Sequence, residues 1–535
     1  MSKTKKITLG VIGVLLIFSL VIGISYAAWR LTLTQTNQNT LASSCFDITF
    51  EEENPILLEN TFPMYDEDGK TLTPYTFTIT NNCSAYATYQ IQLEIINTST
   101  LKDEYLKIMI DEKNPVILNT LQSGEKTLSE ASRAYIIDNN ALDVNEEKTY
   151  NIRVWLDENV TTETEGVQNS NWSAKITINA QYSDRLPTDY EKCVANYGED
   201  SINCQIIAQL DTTGACPTVN EDGTITVTNT ESENGYVCSA PDDYGTSYYF
   251  RGNVENNWVK FANTYWRILR INGDGSIRMI YAGDATVIDA LENKEEVLKN
   301  GYDDGSTDYT QIGTSAYNES YDDNAYVGYM YGAPASSSYE ETHANINNST
   351  IKTKIDEWYE SHIKDTEHEQ YISDTLFCND RSISEYKPDS DYINSGIGKE
   401  KTAYRWRYGP WDSNKQYPRL TCSQQNDRFT VNDEILGNGS LTYPVGLLTA
   451  DEATVAGGYS SSNSKYYLYT GNRYWTMSPS DFNGSRAYER GVDYDGDVYD
   501  GNYRASSSYG VRLVLNLKSD SLKKGSGTAN DPYTV

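Results

Sequence analysis

Histidine is almost missing from this chain: three occur, His343, His362 and His368, among 535 residues. None belongs to a His-x-x-x-His pair, which excludes the common helical zinc site, and no C-x-x-C spacing offers a zinc knuckle or a redox dithiol. There is no G-x-S-x-G nucleophile elbow either. The three histidines read as solvated surface side chains. Basic residues are also scarce, 43 against 76 acidic, for a formal net charge of −33. A field of that sign repels phosphate backbones and excludes nucleic acid as a partner. Phenylalanine is held to 10 while tyrosine reaches 44. Tyrosine couples a large, stiff ring to a polar tip, which suits wet, exposed contact faces.

The one long apolar run is N-terminal. In "MSKTKKITLGVIGVLLIFSLVIGISYAAW" three lysines precede the run Ile7–Ile24, and Ser25 and Ala27 supply the small residues of a cleavage site before Ala28. Segment 1–27 is therefore a signal peptide. If uncleaved, its length also serves as a membrane anchor with a cytoplasmic N-terminus. Either way the bulk of the chain is secreted or displayed at the cell surface, and a membrane is touched only through this segment. Eight cysteines in an exported chain predict disulfides. Proximity suggests Cys45–Cys83, Cys193–Cys204, Cys216–Cys238 and Cys378–Cys422, although the middle four can exchange partners.

Residues 30–182 alternate polar and apolar side chains in short bursts such as "YTFTITNNC", "YQIQLEII" and "TYNIRVWLDE", with turns at "YDEDGK" and "QSGEK" between them. This is the pattern of an antiparallel β-sandwich. Segment 183–245 packs four cysteines among turn-forming residues and reads as a disulfide-stapled linker. From 246 to 535 strands return with helices between them, predicting an α+β domain. "NGDG" marks a hairpin between "YWRILRI" and "SIRMIYA". "VIDALENKEEVLKNG" and "STIKTKIDEWYESHIKD" read as helices, the second presenting Ile351, Ile355, Trp358 and Tyr359 on one face with Ser349 as cap. Thr449 and Glu452 form a capping box on a further helix that ends at Gly457.

The Trp29-led entry and "PYTFTITNNCS" resemble camelysin-like secreted subunits of Gram-positive biofilm matrix. "YFRGNVENNWVKFANTYWRILRINGDGSIRMIY", "FCNDRS", "YPVGLLTADEATVAGG", "YWTMSP" and "GVRLVLNLKS" resemble a bacterial surface domain of uncharacterised function. That domain's fold is the C-type-lectin-like one, in the version found in formylglycine-generating enzymes. Family members usually read "GVRPVLNL", and Leu513 stands in place of that proline. With the sandwich read from residues 30–182, the resemblance implies a multidomain chain: an all-β sandwich followed by a C-type-lectin-like α+β domain. The enzymatic branch of the fold oxidises a substrate cysteine with thiols near a metal. Cys378 and Cys422, the only cysteines of the matching region, read as a structural disulfide. No catalytic residue, metal or cofactor is carried over, and the chain is not expected to be an enzyme.

"DYDGDVYDGN" places Asp493, Asp495 and Asp497 at the start of an EF-hand-like spacing, but Arg504 occupies the position of the bidentate Glu, and a β-turn explains the same letters. Trp475 reads as core, and Arg512, inside an apolar strand, as a structural residue that orients loops. The segment 481–509 is different. Tyrosines interleaved with Asp, Asn, Arg and Ser reproduce a paratope composition. Tyr488, Tyr494, Tyr499, Tyr503 and Tyr509 are the expected anchors, with Arg490, Asp493, Asn502 and Arg504 setting hydrogen-bond direction. Diversified lectin-fold receptors have a similar composition, from which Glu489 departs. The expectation is an exported cell-surface binding protein, adhesin or receptor-like, with a protein or glycan ligand outside the cell. The alternative is a structural matrix subunit that polymerises through its first domain, and the third reading is an enzyme related to formylglycine generators.

Overall fold

Alternation along the chain becomes alternation of burial. In the strand Tyr75–Asn81, residues Tyr75, Phe77, Ile79 and Asn81 are buried and the three between them half-exposed, as the pleat requires. The computed structural model describes residues 30–34, 46–50, 56–59, 62–111, 113, 115–161, 164–167, 170–228, 234–300, 308–384, 391–408, 411–412, 415–459, 462–498 and 503–535. Segment 1–27, Cys45, Tyr499 and Asn502 lie outside the described residues. Strand outweighs helix, 38% to 16%, and the chain divides into two units, Met1–Gly198 and Glu199–Val535. No helix among the described residues is long and apolar enough to cross a membrane.

The first unit is built on two sheets. In one, Asn171–Ser183 pairs with Tyr86–Ile96 on one side and with Arg30–Thr34 and Ile56–Glu59 on the other, and Ala131–Leu142 is outermost. The other runs in the order Phe46–Phe50, Tyr75–Asn81, Glu147–Asp157, Leu106–Ile110, Val116–Ile117, with Pro63–Met64 added in parallel to Glu147–Asp157. Ile91, Leu93, Trp172 and Ile176 of the first sheet share one apolar core with Phe77, Ile79, Tyr150 and Ile152 of the second. This is a sandwich. Its buried acids are satisfied: Glu94 accepts from the amides of Thr127 and Leu128 and the hydroxyls of Thr127 and Thr177, as burial of a carboxylate demands. The "YDEDGK" segment closes as one turn of helix, Asp66–Lys70, and not as a bare turn.

Segment 183–245 does not stand apart as a linker. Its first part forms the helix Asp189–Tyr197 of the first unit, where the Asn196 side chain accepts from the Asn139 amide. Its second part is core of the second unit. The helix Ile202–Ile207 buries Ile202, Cys204, Ile206 and Ile207, and Gly235–Asp242 pairs along its length with Gly245–Gly252. Composition concealed this because the apolar residues needed come from partners elsewhere in the chain. Cys216–Cys238 and Cys378–Cys422 are disulfides, each with Cα atoms 5.6 Å apart, and Cys83, Cys193 and Cys204 are disulfide-bonded as well. Such crosslinks fit an oxidising, extracellular environment.

The main sheet of the second unit is antiparallel, in the order Gly235–Asp242, Gly245–Gly252, Thr264–Ile271, Ile277–Asp284, Leu513–Leu517, Val445–Leu447, with Trp258–Phe261 on Thr264–Ile271. The "NGDG" hairpin forms between Thr264–Ile271 and Ile277–Asp284, and Gly275 adopts φ 85° to make its turn. The helix Thr350–His362 is capped by Ser349 and buries Ile351, Ile355 and Tyr359. Its Trp358 meets Trp266 and Tyr281 of the sheet edge-on, at 5.9 and 6.0 Å. "VIDALENKEEVLKNG" yields two short helices, Ala285–Ile288 and Lys294–Asn300. A second sheet joins Thr314–Ala316, Ser508–Gly510, Tyr474–Phe482, Ala487–Val492 and Tyr503–Arg504, in that order.

The helix Ala450–Ala456 has its capping box: Thr449 accepts from the Glu452 amide and Glu452 from the Thr449 amide. The same carboxylate also lies 2.6 Å from Arg278 Nε and 3.1 Å from Arg270 Nε. Arg270 in turn pairs with Asp242 at 2.7 Å, and Asp242 accepts from the Gly273 amide of the hairpin. One residue earlier in the helix, Asp451 pairs with Arg405 and accepts from Trp406 Nε1 and the Arg419 amide. Burial works to raise the Glu452 carboxyl; Arg278 and Arg270 outweigh it and hold it below its ordinary value. A depressed carboxyl stabilises the fold above its unfolded pKa, and the contribution is lost as pH falls through the folded value. Glu452→Gln, which leaves buried Arg278 without a carboxylate and Arg270 with Asp242 alone, is expected to cost the second unit about 3–5 kcal/mol in urea unfolding at pH 7, and to reduce the loss of stability on acidification. A cost under about 1 kcal/mol would be that of a surface pair and would contradict this.

Candidate functional site

The tyrosine-rich segment, in its described parts 481–498 and 503–509, supplies strands of the second sheet, with Tyr503–Arg504 at one edge. Tyr474–Phe482 runs out, and Asn483 Oδ1 closes the next turn by accepting from the Ser485 and Arg486 amides. Ala487–Val492 returns. A second turn follows, closed by Gly496 N donating to Asp493 O at 3.0 Å. Gly496 sits at φ 86°, where an added Cβ would stand 2.0 Å from Asn463 O, so only glycine fits. Asp495 and Asp497 belong to this turn: Asp495 accepts from Ser462 Oγ and from the Asp497 amide. Among the described residues no three His, Cys, Asp or Glu side chains are grouped to hold a metal.

The face expected from the sequence divides. Asp493, Tyr494, Tyr503 and Tyr509 come together around Arg473, a residue that composition did not single out. Arg473 Nε donates to Asp493 Oδ1 at 2.8 Å. Its guanidinium carbon lies 5.1 Å from the Tyr494 ring centroid, 5.7 Å from Tyr503 and 5.9 Å from Tyr509, within cation–π range. Behind them Tyr503 and Tyr509 pack at 4.6 Å on one another and at 5.9 and 5.0 Å on Trp475. Trp475 is fully buried and donates Nε1 to Ser315 O. The register sets Glu489 opposite Tyr503 and Tyr488 opposite Arg504, so Tyr488 and Arg504 occupy the other face of this strand pair. The Tyr488 hydroxyl accepts from Asn483 Nδ2.

Two expected members behave differently. Tyr503 is buried, 7% exposed, whereas Tyr494 is 56% exposed. Tyr503 belongs to the wall that supports the platform, because its ring fills the gap between Trp475 and Arg473. Arg490 is 2% exposed and donates Nη2 to Trp406 O; both faces of its strand are covered, so it cannot direct a ligand. Tyr499 and Asn502 fall outside the described residues. Glu489, the residue that departed from the surrounding composition, is buried: Oε1 accepts from the Gly328 amide and Oε2 has no hydrogen-bond partner. Burial pushes its carboxyl well above the ordinary value.

Histidine chemistry is absent from this surface. His343 is not solvated but buried, with Nδ1 against Tyr339 O and Nε2 against the Tyr404 hydroxyl. Burial, with Arg381 nearby, lowers it to about 3, so it is neutral. His362 is exposed and stacks on Trp358. Arg512 reaches the carbonyls of Tyr281 and Leu468 and so positions the 464–469 loop. Both sulfurs of Cys378 and Cys422 are tied in their disulfide. Comparison with protein-family models, with curated proteins and with solved structures finds no match for this chain.

Two outcomes follow from these placements. Tyr503→Ala removes a buried ring and should lower stability by about 3–5 kcal/mol, while Tyr494→Ala, on the surface, should change it by under about 0.5 kcal/mol. Equal effects in thermal unfolding would show that the platform is misassigned. For Glu489 the sign is opposite to that of a paired carboxylate. The unfolded chain releases this proton near pH 4.3 and the folded chain retains it, so stability is lost as pH rises above that point. Glu489→Gln is therefore expected to raise Tm at pH 8 by more than at pH 4. The same Tm difference at both pH values would count against a raised carboxyl.

Proposed function

We propose that this chain is an exported, non-enzymatic cell-surface binding protein whose second unit has the C-type-lectin-like fold and meets a protein or glycan ligand through the Arg473 platform. The carrying observation is the exposed guanidinium of Arg473 stacked on Tyr494, Tyr503 and Tyr509 and tied to Asp493. Arginine and tyrosine are the side chains in which interface energy concentrates, and here a buried Trp475 holds their positions before any ligand arrives. Pre-ordering of this kind lowers the entropy lost on binding. The lectin-like reading is supported by closure of the unit on itself: Leu513–Leu517 pairs with the central strand Ile277–Asp284, and Tyr533 exchanges backbone hydrogen bonds with Trp258 and Lys260. Export is supported by the disulfides.

The test is an array of glycans and extracellular proteins probed with the purified chain. Binding should appear on at least one class and fall at least about tenfold in Arg473→Ala or Tyr494→Ala, the loss expected of a central anchor, with Tm unchanged in Tyr494→Ala. Binding that survives both substitutions would remove the platform from the account.

A further inference from the structure

A second concavity in the same unit is lined by different residues. It has a volume of about 450 Å³, a size ordinary for small-ligand sites. Arg267 stands in its wall. The strand register sets Arg267 opposite Trp258, and its guanidinium carbon lies 4.2 Å from the Trp258 ring centroid and 5.2 Å from that of Tyr467. Nε donates to Asn257 Oδ1 and Nη2 to Val254 O, both at 2.5 Å. Asn257 is itself fixed by donating to Ile268 O. The group is locked in place.

What distinguishes Arg267 is that a buried guanidinium without a carboxylate stands in the wall of a pocket. Arg270, Arg278 and Arg381 are as deeply buried, and each meets a carboxylate; Arg251 and Arg512 are buried on backbone carbonyls, but neither lines this pocket. Among the described residues Arg267 pairs with no carboxylate. Glu255 acts on it from the rim, and Arg512 adds positive charge nearby. Burial lowers Arg267 to about 9, which leaves it charged at neutral pH. The Tyr467 hydroxyl in the same wall is buried and has no hydrogen-bond partner, although the Tyr467 amide is anchored on Gly252 O. A desolvated cation without a counter-ion and a buried hydroxyl without an acceptor are each costly. One ligand carboxylate would satisfy both.

The rim narrows the choice of what carries that carboxylate. Asn253, Ser464, Thr528 and Asn530 offer amides and hydroxyls, and Tyr469 offers an aromatic flank. Hydroxyl groups on a ring match such a rim, with ring C–H groups against the tyrosines. Val254 and Ala529 are the only aliphatic side chains of the lining, too little to seat the side chain of a peptide C-terminus. We propose that this pocket binds the carboxylate of an acidic sugar residue, received by Arg267 and the Tyr467 hydroxyl.

Saturation-transfer NMR and calorimetric titration of the full chain would use sodium glucuronate, N-acetylneuraminate, glucose and a short peptide with a free carboxyl end. An acidic sugar is expected to bind, with glucose at least about tenfold weaker, as loss of a hydrogen-bonded charge predicts. Tyr467→Phe keeps the ring and therefore the fold, and should weaken the acidic sugar about tenfold by removing one charge-assisted hydrogen bond. Arg267→Lys should weaken it further, and Arg473→Ala should leave it unchanged. Failure of both acidic sugars to bind would overturn the proposal. So would equal affinity for glucose, preference for the peptide, or an unaltered titration in a folded Tyr467→Phe protein.

Discussion

The first turn of the helix Ala450–Ala456 is where the second unit is tied together. Asp451 and Glu452 are both buried there, and between them they engage Arg270, Arg278, Arg405, Trp406 and the backbone at Arg419. These partners come from separate strands and from a region with little regular structure. Hydrophobic burial alone does not specify which strand meets which loop, since it is non-directional. Buried charges do, because each guanidinium left without its carboxylate carries a large desolvation penalty. The ion cluster thereby selects one arrangement of an otherwise loop-rich chain.

Both proposed recognition surfaces rest on that frame. Arg267 lies on the same strand as Arg270, three residues earlier, and its partner Trp258 on the neighbouring strand. Trp475, the support of the Arg473 platform, lies on the strand Tyr474–Phe482, whose Ser478 hydroxyl accepts from the Ala450 amide of the helix. Arginine thus serves two purposes in this strongly acidic protein. Where it meets Asp or Glu in the interior it holds the frame. At Arg267 and Arg473, which stack on aromatic rings at the wall of a pocket and at the surface, its proposed role is to meet a ligand.

Much of this was legible in sequence because it is local. Period-two alternation gave the strands of the sandwich, "NGDG" the hairpin, and the Ser349 and Thr449 signals the two capped helices. Cysteine spacing gave Cys216–Cys238 and Cys378–Cys422. What stayed hidden is non-local. The apolar faces that absorb residues 199–245 come from far along the chain, so a cysteine-rich stretch looked like a linker. Glu452 was legible as a cap but not as the partner of two arginines some 170–180 residues away. Within 481–509 composition marked Tyr494, which is exposed, yet could not separate it from the supporting wall at Tyr503 or the buried Arg490. That distinction depends on which strand covers which face. Arg473, directly before "YWTMSP", and Arg267, within "YWRILRI", carried a faint signal: a lone cation beside aromatics at the start of, or inside, an apolar strand.

Native-state hydrogen exchange, followed by mass spectrometry across the second unit, tests the central claim most directly. If the Asp451–Glu452 cluster is the tie, amides of 264–271, 277–284 and 450–456 exchange only through global opening of the unit. The strands 487–492 and 503–510 of the second sheet then open locally and earlier. Exchange of 450–456 through a local opening, while the strands around it stay protected, would show that the helix and its acids are an ornament on a frame held by something else.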